Sequence, residues 1–156
     1  MTQLNLVIDV DGVLSTGQFL YSSDGKAYKI FGPHDAEGLK ILQPYFNILF
    51  ITADKRGFEI SKKRIEDMGY LIELVSEEER YDFIKNKFGF ENTIFIADGI
   101  SDSRILKECK FGIAPANARI EAKQAASFIT ASKAAEGAVC DACIEIMKRV
   151  ISKNDI

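Results

Sequence analysis

The sequence predicts an α/β fold: a central, mostly parallel sheet with helices on both faces and one β-hairpin inserted after the first strand. Three observations carry this expectation. Short apolar runs alternate with longer amphipathic ones along the chain, the rhythm of repeated strand–helix units. The short runs are nearly free of polar residues, so each strand would be buried on both faces. One segment breaks the rhythm, placing two strand-like stretches around a Ser22-Ser23-Asp24-Gly25 turn.

Taken in order, Leu4–Ile8 is apolar and β-branched, and turn-forming residues follow it, so it reads as the first strand. Gln18–Phe31 is the hairpin, with Phe19-Leu20-Tyr21 before the turn and Ala27–Phe31 after it. A helix over Ala36–Gln43 leads to a strand at Ile48–Ile51, and a helix over Gly57–Met68 stops at Gly69. Leu71–Val75 is the next strand. Ser76 followed by Glu79 then forms a capping box opening a helix over Glu77–Phe88, closed by Gly89. Strands follow at Thr93–Ala97 and Phe111–Ala114, with a weaker one at Ser127–Thr130. Helices are expected over Asp102–Lys107 and Asn117–Ala126, and a last one from Ala138 to about Ile151. The result is a Rossmann-like three-layer sandwich. No repeat, low-complexity tract or linker interrupts it, so residues 1–156 read as one domain.

Composition excludes several function classes. Of the residues, 47% are apolar and 28% charged, as in ordinary globular proteins. With 20 basic and 23 acidic side chains the net charge is −3, which argues against nucleic-acid binding through bulk charge. A small anionic ligand is still compatible, because one local site can be positive on a mildly acidic protein. No apolar stretch approaches the roughly 20 residues needed to cross a bilayer, and Met1–Asn5 lacks the basic region of a signal peptide. A cytoplasmic protein without membrane contact is expected. Cys109, Cys140 and Cys143 are an odd number, which speaks against a disulfide framework. Cys140 and Cys143 fall in the last helix with no second ligand pair, so they read as packing thiols rather than a zinc site. Lys148–Lys153 looks like a solvated helix face. His34 is the only histidine, and it reads as a residue at the site entrance or in a loop.

In open parallel sheets, ligands bind at the carboxyl ends of the strands. Three places carry reactive residues there: Asp9-Val10-Asp11-Gly12-Val13-Leu14 after the first strand, Thr52 after Ile48–Ile51, and Asp98 after Ile94–Ala97, with Asp102 four residues on. Each has an ordinary reading as a turn former or helix cap. That reading is weakest for Asp9, because an acid inside an apolar run must be paired or neutralised when buried, and a cation would do so. Gly12 supplies the freedom for a turn between the two carboxylates of the first site. Together, the three outweigh their separate explanations.

These residues match the first, second and fourth motifs of the haloacid dehalogenase-like phosphatases, which the sequence resembles over nearly its whole length. Asp11–Gly17, the hairpin, His34–Lys40 and Glu136–Val139 resemble the cap-less subgroup, which includes 3-deoxy-D-manno-octulosonate 8-phosphate phosphatase and the phosphatases of related nine-carbon sugar acids. The resemblance implies a magnesium-dependent phosphomonoester hydrolase of cell-surface (lipopolysaccharide) biosynthesis, acting on a phosphorylated sugar acid without a cap domain. Asp9 would be the nucleophile, forming an aspartyl-phosphate, and Asp11 the general acid and base. Asp11, Thr52 and Ala53, with backbone N–H groups at a helix start, would bind the phosphoryl group. Mg²⁺ would be held by Asp9, the backbone carbonyl of Asp11 and Asp98, with Asp102 in support. It also implies a homotetramer, in which the apolar hairpin (Phe19, Leu20, Tyr21, Tyr28, Phe31) covers a neighbour's site.

The chain departs from that pattern in places. The family's third motif is a basic residue opening a helix, but here the stretch reads Ser76-Glu77-Glu78-Glu79-Arg80. Arg80, one turn later, and Lys55, just after Thr52, are the two candidate cations. Ala97 precedes Asp98 and Gly99 follows it, and Glu136 stands where the octulosonate phosphatases have Arg. The acidic third motif keeps an alternative open: a non-catalytic domain of the same fold that binds a phosphorylated ligand or a protein.

Overall fold

In a computed structural model, which describes residues 3–152, the chain begins with β1 (Leu4–Asp9), then a hairpin of β2 (Ser15–Ser22) and β3 (Gly25–Phe31). It continues as α1 (His34–Leu42), β4 (Phe46–Thr52), α2 (Phe58–Asp67), β5 (Leu71–Leu74), α3 (Glu77–Lys87) and β6 (Thr93–Ile96). The last elements are α4 (Ser103–Glu108), β7 (Phe111–Ala114), α5 (Ile120–Ala125), β8 (Phe128–Ile129) and α6 (Ala138–Ile146). Six strands form one sheet in the order β5-β4-β1-β6-β7-β8, every neighbouring pair parallel. The expected α/β sandwich is therefore present, with β2 and β3 as a separate antiparallel pair.

The four central strands β1, β4, β6 and β7 are buried on both faces, which explains their continuous apolar runs. Edge strand β5, expected to be covered as well, leaves Leu71 and Leu74 exposed. Alternate residues of β1 face opposite layers: Leu6 and Ile8 pack with Leu39 and Leu42 of α1, Ile65 of α2 and Val139 and Ile146 of α6. Val7 instead packs with Ile84 of α3, Leu106 of α4 and Ala122 of α5. At the centre the strand order reverses between β1 and β6. That is where the carboxyl ends of an open sheet leave a crevice.

Most expected boundaries hold within a residue or two. Ser76 caps α3, its Oγ accepting the Glu79 N–H at 3.3 Å. The predicted helix over Asn117–Ala126 forms only at Ile120. The Ala118 N–H turns back to the Pro115 carbonyl, and the Asn117 side chain accepts the Ala134 N–H at 2.9 Å instead of entering a helix. The last helix ends at Ile146 and continues to Ile151 as a wider turn. Lys153, at the end of the predicted basic face, lies outside the described residues, as do Met1 and Thr2. Cys109, Cys140 and Cys143 are free thiols, and two of them are buried. No helix among the described residues is long and apolar enough to cross a membrane.

Asp35, wholly buried at the start of α1, accepts the backbone N–H of Cys140 in α6 at 3.1 Å. Burial pushes its carboxyl up to about 6, against the opposing pull of that hydrogen bond. This polar clasp joins α1 and α6, two of the three helices that cover one face.

Candidate active site

β1 delivers Asp9 at the reversal point of the sheet, paired in register with Ile51 of β4. The chain then makes one wide turn, closed by the Ser15 N–H on the Val10 carbonyl, with Asp11 extended and Gly12 at φ +83°. Only glycine enters that conformation without strain. It is also the only residue that fits, since a Cβ at Gly12 would collide with the Asp98 carboxylate. The turn thus brings two separate motifs into contact.

Side-chain oxygens of Asp9, Asp98 and Asp102 all lie within 4.8 Å of one another. Asp102 is held by Gly99, whose N–H donates to its Oδ2 at 3.1 Å. The other side of the cluster is closed by Arg80, reaching in from α3. Its guanidinium donates to Asp102 Oδ1 at 2.8 Å and lies 3.4 Å from Asp9 Oδ1. Burial disfavours the charge on Arg80, but Asp9 and Asp102 overcome it and hold the guanidinium more firmly protonated than usual. Of the two candidate cations, Arg80 is therefore the one at the site. Lys55 is exposed and absent from the cleft lining.

One guanidinium does not balance three acids, of which Asp9 and Asp102 are buried and Asp98 half-buried. Burial drives the Asp9 carboxyl well above its ordinary value, and neighbouring Asp98 and Asp102 add to the rise while Arg80 opposes it. Asp98 is raised as well, chiefly by burial, with a hydrogen bond from Asp9 partly offsetting this. Burial thus favours the uncharged form of these acids at a place where a cation could stand. An all-oxygen carboxylate set suits a hard divalent ion such as Mg²⁺, which would neutralise the charge without protonation.

Asp11 is beside this cluster but not in it. Its carboxylate accepts Ser15 Oγ–H at 3.2 Å and Thr52 Oγ1–H at 3.4 Å, and lies 2.8 Å from Lys29 Nζ. Thr52 also accepts the Asp54 N–H at 3.1 Å, closing a turn. It does not cap α2, which begins only at Phe58, so the phosphate-binding helix start expected next to Thr52 is a loop here. The loop is fixed by Asp54, which accepts the Gly57 N–H at 3.1 Å and pairs with Lys26 at 2.7 Å and Lys29 at 2.9 Å. Although burial opposes it, those two lysines pull the Asp54 carboxyl down to about 2.

A cleft of about 400 Å³ opens over these groups, lined by Asp9, Asp11, Thr52, Ala53, Asp98 and Asp102, with Arg80, Asp54, Lys26, Glu77, Gly17 and Phe19 around them. Every predicted site residue therefore borders one cavity. His34 does not: it is exposed on the first turn of α1 beside Glu37. Glu136 is exposed and also outside the cleft lining. The sequence reading missed Lys26, Lys29 and Asp54. A signal existed for Lys29, which alternates with Tyr28 and Ile30 in β3 and so had to face inward if those two faced out.

Comparison with known proteins finds relatives for this chain. A family model described as haloacid dehalogenase-like hydrolase matches residues 83–142, the stretch that carries Asp98 and Asp102. The chain is 31% identical over 138 residues to the 3-deoxy-D-manno-octulosonate 8-phosphate phosphatase of Haemophilus influenzae, covering 85% of this chain and 76% of the relative. The cobalt-bound structure of the deoxy-D-mannose-octulosonate 8-phosphate phosphatase of that organism superposes with a TM-score of 0.78 at 28% identity, over 94% of this chain and 88% of the other. The Moraxella catarrhalis 3-deoxy-D-manno-octulosonate 8-phosphate phosphatase, in complex with magnesium ion, phosphate ion and a KDO molecule, gives a TM-score of 0.80 at 27% identity, over 94% and 86%.

Proposed function

The chain belongs to the haloacid dehalogenase-like hydrolases, in the family of 3-deoxy-D-manno-octulosonate 8-phosphate phosphatases, and from that premise we propose that it removes phosphate from a sugar-acid phosphate through an aspartyl-phosphate on Asp9. The observation that carries this is the meeting of Asp9, Asp98 and Asp102 within 4.8 Å at the reversal point of the sheet. Asp9 and Asp98 would hold Mg²⁺ together with the Asp11 carbonyl, and Asp102 would support them. The ion would offset negative charge between carboxylate and phosphoryl oxygens. Asp9 attacks phosphorus, while Asp11 gives its proton to the departing sugar oxygen and later takes one from water. Thr52 and the Ala53 backbone bind the phosphoryl oxygens at the cleft wall. Arg80 supplies the cation that the acidic third motif lacks, and with it the feature that favoured a non-catalytic domain loses its force.

The substrate is an eight- or nine-carbon sugar-acid phosphate, by the resemblance a precursor of cell-surface polysaccharide made in the cytoplasm. One domain performs the reaction without a cap. Cover for the cleft comes from neighbouring copies in a homotetramer, which the exposed hairpin supports: Phe19, Leu20, Tyr21, Tyr28 and Ile30 are each about half exposed or more. Phe31, expected among them, packs against the core instead. Light scattering at micromolar concentration is expected to give four times the chain mass; a monomer would refute the tetramer. Incubation with Mg²⁺ and a panel of phosphorylated sugars and sugar acids is expected to release phosphate, fastest from a sugar-acid phosphate. Release from none of them, with the fold intact, would refute the phosphatase reading.

A further inference from the structure

Strand β3 reverses the usual arrangement of a surface strand. Tyr28 and Ile30 face solvent, 66% and 51% exposed, while the Lys29 side chain between them is only 1% exposed. Burying an ammonium is costly unless its donors are matched. Lys29 Nζ has three partners for its three N–H bonds: Asp11 Oδ1 at 2.8 Å, Asp54 Oδ2 at 2.9 Å and Ser61 Oγ at 2.8 Å. Asp54 and Ser61 come from the loop after β4 and from α2, and they alone would serve a lysine that merely pins the hairpin down. The third contact goes to Asp11 instead, whose side chain stays about one-third exposed to the cleft. Among the described residues, that carboxylate is otherwise held by two hydroxyls, those of Ser15 and Thr52, at 3.2 and 3.4 Å. Proton transfer depends on placing the carboxyl oxygen within hydrogen-bond reach of the reacting atom.

We propose that Lys29 is a positioning residue for the reaction, anchoring Asp11 at the angle from which it serves the leaving oxygen and then the attacking water. This rests on the phosphatase reading above. In the first step the bond from Asp9 oxygen to phosphorus forms, the ester P–O bond breaks and the Asp11 proton moves to the ester oxygen. In the second, water oxygen bonds to phosphorus, the Asp9–phosphorus bond breaks and a water proton returns to Asp11. The hairpin is then a working part of its own chain's site.

An alkoxide leaving group needs the proton and p-nitrophenolate hardly does, so two esters read the role. For Lys29→Met, kcat/KM for a sugar-acid phosphate is expected to fall about 100-fold, and for p-nitrophenyl phosphate less than about 10-fold. Ser61→Ala loosens the ammonium without leaving a buried charge unpaired, and is expected to show the same selectivity with a drop of about threefold on the sugar ester. Equal losses on both esters in Lys29→Met would overturn the proposal. Should that variant fail to fold, an unchanged ester ratio in Ser61→Ala would overturn it. A wild-type protein that hydrolyses neither ester refutes the phosphatase reading itself; one that hydrolyses both, with variants of unaltered ester preference, refutes only the role of Lys29.

Discussion

Replacing Asp9 with Asn is expected to lower phosphate release by at least about 10⁴-fold, the scale on which loss of an enzyme's nucleophile is felt, while the fold survives. Survival follows from the electrostatics of the cluster. Burial and two neighbouring acids already favour a neutral Asp9 when no cation is present, and an amide of the same shape is neutral too. The contact to Arg80 is the longer of that residue's two ion pairs, 3.4 Å against 2.8 Å to Asp102, so Arg80 keeps its better partner. Thermal unfolding of the metal-free variant should therefore match the wild type or exceed it. Stabilisation by added Mg²⁺ should shrink at the same time. Near-normal turnover of Asp9→Asn on a sugar-acid phosphate would exclude the nucleophile.

The second large effect belongs to Arg80. Removing one partner of a buried ionic group strands the others, at a cost of about 3–5 kcal/mol. Arg80→Met leaves Asp9, Asp98 and Asp102 within 4.8 Å of one another with no side-chain cation of the described residues bonded to them. Urea unfolding without metal should show that loss, and Mg²⁺ should restore part of it by supplying positive charge in place of the guanidinium. Activity is expected to fall about 10²- to 10³-fold even with saturating Mg²⁺, the size typical of losing one preorganised donor near a transition state. Arg80→Lys should be milder for stability, since it keeps a charge, yet its single ammonium cannot reproduce the fork that meets two carboxylates at once. A change in stability below about 1 kcal/mol in Arg80→Met would mean that Arg80 does not hold the cluster together.

Much of this was legible in the sequence because the deciding signals are local. Apolar runs such as Ile94–Ala97 could only be strands covered on both faces, and acids directly after such runs had to emerge at one rim of the sheet. Gly12 announced a turn between Asp9 and Asp11, although its second function, leaving room for Asp98, depends on a contact between residues 86 positions apart. What the sequence hid was tertiary. The sequence left Arg80 and Lys55 as alternative cations; only the packing of α3 turns Arg80 toward Asp102. Asp54 looks like a loop residue until the hairpin folds back and brings Lys26 and Lys29 against it. Asn117 carries the same lesson for secondary structure: a side-chain bond to Ala134 outcompetes the local tendency to continue a helix.

The two lysines also alter how the hairpin is understood. Its outward residues form an apolar surface, while Lys29 on the opposite side reaches the reactive carboxyl of the same chain. The proposed tetramer and the proposed role of Lys29 would tie association of copies and the chemistry within each to the same fourteen-residue segment from Gln18 to Phe31.

Calorimetric titration of Mg²⁺ into the wild type and into Asp98→Asn, in buffers of different ionisation enthalpy, tests the heart of the account. A cation shared by Asp9 and Asp98 stabilises their ionised forms against the burial that favours the uncharged ones, so wild-type binding should take up one ion per chain with a buffer-dependent heat from proton release, and Asp98→Asn should lose most of that affinity. Equal affinity in both proteins, with no proton released, would mean that these two carboxylates do not hold a common ion.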